Sequence, residues 1–211
     1  TNLILITAAF LGTWTVNANP DIEKGEKLFQ MCAACHGQSG EGSQNLNAPA
    51  SAGQSQWYVK QQLNNFRASI RGSHPEDSYG RQMIPMATIL KDEQAVMDVS
   101  SFIETLPLTT PKTTLTADPS SGKASYGICA SCHGTSGEGI AALNAPRLSH
   151  QHDWYIVRQL KNFKQGISPG AGYFFTAEAH FDTSRVVRPR TSELTLPVLT
   201  SQGSQDVWCT F

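Results

Sequence analysis

The sequence lacks an excess of charge of either sign and lacks an apolar run of membrane-spanning length. Sixteen Lys and Arg stand against 17 Asp and Glu in 211 residues, and the net charge of −1 gives no indication of nucleic-acid binding. The apolar segment 3–16 is shorter than the roughly 20 residues that a spanning helix needs. Hydrophobic residues nevertheless make up 39% of the chain, which is enough for a folded core.

The N-terminal segment is typical of a secretory signal peptide. Its apolar stretch is followed by the small residues of a cleavage site at Val16, Asn17 and Ala18, while the usual Met and basic start would precede Thr1. We therefore expect residues 1–18 to be a signal peptide. The alternative is an uncleaved N-terminus that associates the protein with the membrane. In both cases the body of the protein is expected in the periplasm.

Two segments of the chain repeat each other at a constant offset of 97 residues. Residues 32–70 and 129–167 are identical at 21 of 39 positions without a gap. The sequence predicts two domains, at 19–107 and 122–211, joined by a Pro/Thr/Ser-rich linker at 108–121. Domains of about ninety residues are small enough for a bound cofactor to supply part of the interior.

The fold class is predicted to be all-α, because no stretch shows clean two-residue alternation. Helix starts are expected at Asn19, with Pro20 in the first turn, at Ser55 and at Asp92, and Pro107 would end the last helix. Apolar residues recur at helical spacing within these segments: Ile22, Leu28, Phe29 and Cys32; Val59, Leu63, Phe66 and Ile70; Val96, Val99, Ile103 and Leu106.

Each repeat contains the pattern CxxCH. One helical turn separates the two cysteines, so both thiols can bond to the two vinyl groups of one haem, and the next residue can ligate the iron. The residues are Cys32, Cys35 and His36 in the first repeat and Cys129, Cys132 and His133 in the second.

Two other chemistries use CxxC pairs. Four cysteines could bind one zinc ion, but each repeat here carries its own His and its own copy of the surrounding sequence. A dithiol redox centre favours a βαβ pattern, which the sequence does not show. The pattern therefore favours two covalently bound haem c groups.

Haem iron needs a sixth ligand, and Met83 and Met86 flank Pro85 in what is predicted to be a loop between the second and third helices. A thioether ligand raises the reduction potential, which suits electron transfer. The alternative is that both Met side chains fill core space.

The chain resembles the dihaem c-type cytochromes of the cytochrome c4 type, in which two class I cytochrome c domains lie in tandem. The likeness covers roughly residues 20–106 and 120–167. In that family the axial ligand lies eight residues before the final helix, which, counted from Lys91, points to Met83 rather than Met86. Besides the CxxCH pairs, the resemblance rests on these residues: Asn47, Ala48, Pro49, Gly53, Gln54, Tyr58, Gln62, Leu63 and Gln82 to Ala87.

The resemblance also implies a partner for each proximal imidazole. The carbonyl of Pro49 would accept a hydrogen bond from the ring of His36, and that of Pro146 from the ring of His133. Such a bond orients the imidazole and raises its basicity. The alternative for both prolines is a simple turn.

Two aromatic residues open the second helix of each repeat. Their indole N–H or phenol could donate to a haem propionate, or the rings could be ordinary core aromatics. We expect one polar contact in each domain. The residues are Trp57, Tyr58, Trp154 and Tyr155.

The repeat ends abruptly beyond residue 167. Residues 71–114 and 168–211 share one identity in 44, and no Met follows Met97. His180 lies opposite Met83 at the same offset and is the first candidate for the sixth ligand of the second haem, which would lower its potential relative to a His/Met haem. The alternative is a surface histidine. His150 and His152 are lesser candidates.

The C-terminal segment does not have the pattern of a closing helix. Residues 185–199 contain Pro189 and Pro197 and no apolar stripe at helical spacing. One hypothesis is that the sequence after about residue 170 is not the natural continuation. Cys209 would then belong to the same anomaly; otherwise it is a free thiol or an intermolecular partner.

Three functions follow from these patterns. The first is an electron carrier, not an enzyme, between a membrane quinol-oxidising complex and a terminal oxidase or reductase. The second is the cytochrome subunit of a periplasmic dehydrogenase of the sulfur-oxidising type, and the third is a haem with an open site in the second domain. Glu41 and Glu138 are expected to be solvated loop residues rather than acid–base groups.

Overall fold

The computed structural model describes residues 19–116 and 119–168, and the prediction of an all-α fold is confirmed there. The signal-peptide prediction and the predictions for His180 and Cys209 lie outside these ranges. No helix within the described residues has the length and apolar character needed to cross a bilayer. The helices are α1 Ile22–His36, α2 Gln56–Arg67, α3 Ser78–Thr88, α4 Glu93–Thr105, α5 Pro119–His133 and α6 Asp153–Lys164, with a 3-10 turn at Ala141–Leu143.

Helices α2 and α4 begin where their caps predict. Ser55 and Asp92 are the N-cap residues, and the Asp92 carboxylate accepts a hydrogen bond from the backbone N–H of Ala95 at 2.8 Å. The predicted start of α1 at Asn19 is wrong. Asp21 is the cap there, because its carboxylate accepts from the N–H of Lys24 at 3.0 Å and satisfies a first-turn donor.

Helix α3 replaces the predicted loop around the two methionines. The side chain of Asp77 caps it by accepting from the N–H of Gly80 at 2.9 Å. Pro85 lies inside the helix, which ends three residues later at Thr88. A proline near the end of a helix removes one backbone hydrogen bond without ending the helix at once, and the Met residues are therefore helical.

The core of the first domain lies where α1 crosses α4. Gly25 permits the close approach, since a Cβ at that position would overlap the carbonyl oxygen of Asp98. Next to this crossing the rings of Phe29 and Phe102 pack with centroids 5.4 Å apart. Helix α2 packs on both α3 and α4 and adds Leu63 and Phe66 to the same apolar cluster.

The linker is held by the second domain. The carboxylate of Asp153, at the start of α6, accepts from the N–H and hydroxyl of Thr114 and from the N–H of Leu115, at 2.7 to 2.8 Å. Helix α5 begins at Pro119, before the predicted domain start at residue 122. The last residues assigned to the linker are therefore helical.

The two repeats meet through equivalent residues in reciprocal roles. Gln54 donates through Nε2 to the carbonyl of Arg147 at 2.9 Å, and Gln151 donates through Nε2 to the carbonyl of Ala50 at 2.8 Å. The offset of 97 relates Gln54 to Gln151 and Ala50 to Arg147. The interface therefore has an approximate two-fold axis.

Candidate haem-binding site

Each CxxCH pattern ends a helix and leads into a tight loop of nearly identical shape. Gly37 and Gly134 follow the histidines with φ of 85° and 83°, and Gly42 and Gly139 have φ of 84° and 82°. These are left-handed values that glycine adopts at little cost. In both loops the second glycine donates its N–H to the histidine carbonyl at 2.7 Å. The sequence identity of the repeats thus extends to backbone geometry.

The predicted partner of each proximal imidazole lies within hydrogen-bonding distance. Nδ1 of His36 lies 2.8 Å from the carbonyl oxygen of Pro49, and Nδ1 of His133 lies 2.8 Å from that of Pro146. A carbonyl only accepts, so Nδ1 carries the proton and Nε2 has the lone pair that a metal needs. Burial lowers the pKa of His36, although the bond to Pro49 opposes this, and the neutral imidazole is favoured.

The first cysteine of each CxxCH pattern lies in an environment that disfavours the thiolate. Burial raises the pKa of Cys32 to about 11, and burial also raises the pKa of Cys129. A dithiol redox centre needs a lowered thiol pKa instead.

Within the described residues, which include all four CxxC cysteines, no group of three or more His, Cys, Asp or Glu lies close enough to hold a metal ion. The dithiol and zinc alternatives therefore gain no support.

The two methionines differ in exposure. Met83 is partly buried and packs on the apolar cluster that also contacts Cys32, whereas Met86 is 37% exposed on the same helix. The count from Lys91 that favoured Met83 is off by two residues, because α4 begins at Glu93. Burial, rather than that count, distinguishes Met83 as the methionine on the interior side.

The aromatic pairs present two buried donors. The indole Nε1 atoms of Trp57 and Trp154 are buried and have no hydrogen-bond partner among the described residues. In each domain the Trp ring makes an edge contact with the neighbouring Tyr, with centroids 5.7 Å apart for Tyr58 and 5.9 Å apart for Tyr155. A buried N–H needs an acceptor, and a haem propionate would supply one at equivalent places in both domains.

An apolar cavity of about 420 Å³ lies beside Cys129 in the second domain. Tyr126, Leu148, Ile156 and Leu160 contribute to its wall. A cavity of this size and polarity fits a large part of a porphyrin next to the thiol that would bind it. With the oriented imidazoles and the buried indole donors, the residues present fit a covalently bound haem in each domain.

The remaining candidates have other partners. His150 lies 3.2 Å from the Thr109 carbonyl, and Nε2 of His152 lies 2.9 Å from the Glu41 carbonyl, so both imidazoles bond to backbone. Glu41 and Glu138 accept from the loop N–H groups of Ser39 and Ser136, each at 2.9 Å. These hydrogen bonds stabilise the two loops.

Sequence reasoning missed two arginines at the domain interface. Arg71 is 8% exposed and donates to Tyr155 of the second domain at 2.9 Å. Arg158 of α6 donates to the side chain and carbonyl of Asn47 at 3.0 and 2.9 Å, and its guanidinium lies over the ring of Tyr79. Neither position has an Arg in the other repeat, and that departure from the repeat was the available signal.

Comparisons with known proteins agree with this architecture. The family model described as cytochrome c matches residues 22–107 and again residues 120–195. Cytochrome c4 of Azotobacter vinelandii is 31% identical in an alignment of 184 positions that covers 80% of this chain and 83% of that protein. A crystal structure of reduced recombinant cytochrome c4 from Pseudomonas stutzeri is similar with a TM-score of 0.56 and 27% identity, covering 71% of this chain and 83% of that one.

A third relative carries a different description. The thiosulfate dehydrogenase electron acceptor of Stutzerimonas stutzeri is 30% identical in an alignment of 147 positions that covers 64% of this chain and 63% of that protein. All three relatives are matched over more than one CxxCH domain length, and two of them are c4 cytochromes. On the doubled family match and the doubled haem-binding geometry, this chain belongs to the cytochrome c family, as a c4-like electron-transfer cytochrome with two covalently bound haem c groups.

Proposed function

We propose that this protein is a periplasmic electron carrier that passes single electrons between a membrane quinol-oxidising complex and a terminal oxidase or reductase. The observation that carries the proposal is the duplicated CxxCH loop, in which each imidazole is oriented by a carbonyl 2.8 Å away. The reciprocal contacts that join the two domains support it, because they hold two redox sites in one unit. An electron carrier needs its redox sites held in a fixed arrangement and does not need a substrate pocket.

The first domain would hold its haem through Cys32 and Cys35, with His36 as the proximal ligand and Met83 as the sixth. When bound, the haem supplies one-electron oxidation and reduction at iron. The chain contributes the orientation of the imidazole through the Pro49 carbonyl and the exclusion of water by the α1, α2 and α4 core. A thioether ligand and a dry surrounding both favour the reduced state.

The second domain would hold its haem through Cys129 and Cys132, with His133 as the proximal ligand. Pro146 orients this imidazole, and both residues are fully buried. For the sixth position we keep His180 as the candidate, on the sequence offset alone. The second haem would then have a lower potential than the first, because bis-histidine ligation favours the ferric state more than His/Met ligation does.

A potentiometric titration of the purified holoprotein tests this assignment. Absorbance is followed in the visible haem bands and in the long-wavelength band of Met-ligated ferric haem. Two one-electron steps of unequal potential are expected, and the Met band should accompany only the higher one. A single step, or a Met band that follows both steps, would contradict the ligand assignment.

Two further measurements test the carrier function itself. The reduced holoprotein should be oxidised by respiratory membranes that contain a terminal oxidase, and its spectrum should not change on addition of carbon monoxide. Carbon monoxide binding at one haem would indicate the open site in the second domain. Failure of both quinol-oxidising and oxidase-containing membranes to exchange electrons with the protein would overturn the carrier proposal.

A second candidate function is electron acceptance from a sulfur-compound dehydrogenase. The observation that favours it is the relative described as a thiosulfate dehydrogenase electron acceptor. Reduction of the holoprotein by such a dehydrogenase with its substrate, measured by stopped-flow absorbance, would support it. Cytochrome c4 proteins such as the Azotobacter relative provide the control acceptor.

A further inference from the structure

Arg71 is a buried cation that contacts both repeats at once. Its guanidinium donates to Gln62 of its own domain at 2.6 Å, and to Tyr155 and Gln159 of the second domain at 2.9 and 3.3 Å. It is also hydrogen bonded to the phenol of Tyr58. The offset of 97 relates Gln62 to Gln159 and Tyr58 to Tyr155, so one guanidinium binds both copies of the same two positions. Arg71 therefore lies on the approximate two-fold axis.

The partners of Arg71 do not balance its charge. All four are neutral side chains, and the face of the guanidinium lies 4.8 Å over the ring of Phe66. Within the described residues the ion pairs are Lys24 with Asp98 and Arg67 with Glu93. The carboxylate of Asp77 caps α3 and acts on Arg71 only at longer range. A buried cation without a counter-charge is costly, and the surroundings indicate an anion at this place.

Two further buried donors in this region lack an acceptor among the described residues. They are the indole N–H groups of Trp57 and Trp154, which directly precede the tyrosines that contact Arg71. Haem propionates are carboxylates, and each haem carries two. Arg71 has no counterpart in the second repeat, where Ser168 stands at the equivalent position, so the one guanidinium would have to serve both haems.

We propose that Arg71 is a shared counter-charge for the propionates of both haems, bound on the axis between the domains. The inference rests on the two haems of the cytochrome and not on the proposed redox partners. A cation beside both propionate sets stabilises the reduced form of each haem, because reduction removes a positive charge from the iron. A single residue of the first domain then raises the potentials of both.

Arg71→Gln tests the proposal, with Arg67→Gln as the matched control. Arg67 lies four residues earlier and pairs with Glu93 in the first domain alone. Potentiometric titration of R71Q is expected to lower both midpoints, each by about tenfold in the reduction equilibrium, or about 59 mV for a one-electron couple. R67Q should change neither midpoint potential. Arg71→Lys keeps the charge, so both of its midpoint potentials should lie close to those of the wild type. A shift confined to one haem, or no shift, would overturn the proposal.

A crystal structure of the wild-type holoprotein gives an answer that does not depend on how R71Q folds. We expect the Arg71 guanidinium within ion-pair distance, about 4 Å, of a propionate oxygen from each haem. Contact with the propionates of one haem only, or of neither, would overturn the shared role. Haem content is measured for every variant, so a failure of haem attachment is distinguished from a failure of this inference.

Discussion

The two CxxCH loops have almost the same geometry, whereas the helices that carry them have different surroundings. The φ angles at the paired glycines agree within a few degrees, and both His to Pro distances are 2.8 Å. Gly25 of α1 lies against the backbone of α4, but Gly122, its equivalent in α5, has no atom within 4 Å of an added Cβ in the described part of the chain. The loop is specified by its own sequence, while the packing of the helix depends on a distant segment.

The strongest test of this comparison is removal of the cysteines one domain at a time. The double variant C32A/C35A is expected to lose the first haem and to keep the second, and C129A/C132A the reverse, because each loop is locally complete. Covalent haem is measured by mass and by haemochrome absorbance. Loss of both haems from either double variant would mean that the domains fold as one unit and would contradict the local specification of the loops.

The next largest effect is expected at the sixth ligand. Met83→Ala should abolish the absorbance band of Met-ligated ferric haem and lower the potential of the first haem by on the order of 0.1 V, since axial ligands tune haem potentials over about 0.8 V. Met86→Ala is the matched control on the same helix, and its exposed side chain predicts no change. Retention of the band in M83A and its loss in M86A would reverse the assignment.

Alanine substitution at the two equivalent glycines, Gly25 and Gly122, is expected to change the free energy of unfolding in opposite directions. Gly25→Ala should destabilise the first domain by about 1–3 kcal/mol, because the added methyl overlaps the Asp98 carbonyl. Gly122→Ala should stabilise α5 by about 0.5–1 kcal/mol, since no atom of the described residues lies within 4 Å of the added Cβ and alanine is the better helix former. Denaturant unfolding of the two variants measures both. Equal destabilisation would show that α5 is packed as tightly as α1.

The reciprocal glutamines are expected to behave alike. Gln54→Ala and Gln151→Ala each remove hydrogen bonds to the backbone of the other domain, and each should lower the free energy of unfolding by about 1 kcal/mol. Gln61→Ala, at an exposed position of α2, serves as the control. If only one of the two variants lowered the free energy of unfolding strongly, the two contacts would be symmetric in geometry but not in energy.

The smallest effect concerns the linker contact of Asp153. Desolvation raises the pKa of the Asp153 carboxyl, but hydrogen bonds from Leu115 and Thr114 lower it more. The pKa is therefore about 2, below the usual value of about 3.9. The resulting stabilisation is present above about pH 4 and is lost as the pH falls towards 2. Asp153→Asn should therefore cost less than about 1 kcal/mol at pH 7 and nothing at pH 2. Gln56→Ala, at the equivalent position of the first domain, should show no such pH dependence.

Short-range patterns predicted the helix starts at Ser55 and Asp92, because a cap depends on neighbouring residues. The Pro49 and Pro146 contacts came from the family resemblance, since no local pattern distinguishes them from a simple turn. The predicted start of α1 at Asn19 is wrong because the N–H of Asp21 is fixed by Asp98, 77 residues away, and a local pattern does not show that bond.

Two other features depend on context that a local pattern does not contain. Pro85 suggested a loop, but the Asp77 cap and packing on α2 keep that segment helical. Arg71 and Arg158 acquire their partners in the other domain only when the two domains dock, and the departure from the repeat at both positions was the one signal in the sequence. The haem loops were therefore predictable from the sequence and the interface was not.

The reciprocal bonds of Gln54 and Gln151 are those of an isologous dimer whose two subunits have been joined into one polypeptide. In a homodimer every substitution at such a surface occurs twice, and the two halves stay identical. Covalent joining removes that restriction, so an arginine can be placed on one side of the axis and a serine on the other. This chain keeps the symmetric docking of a dimer while its two redox centres are free to acquire different properties.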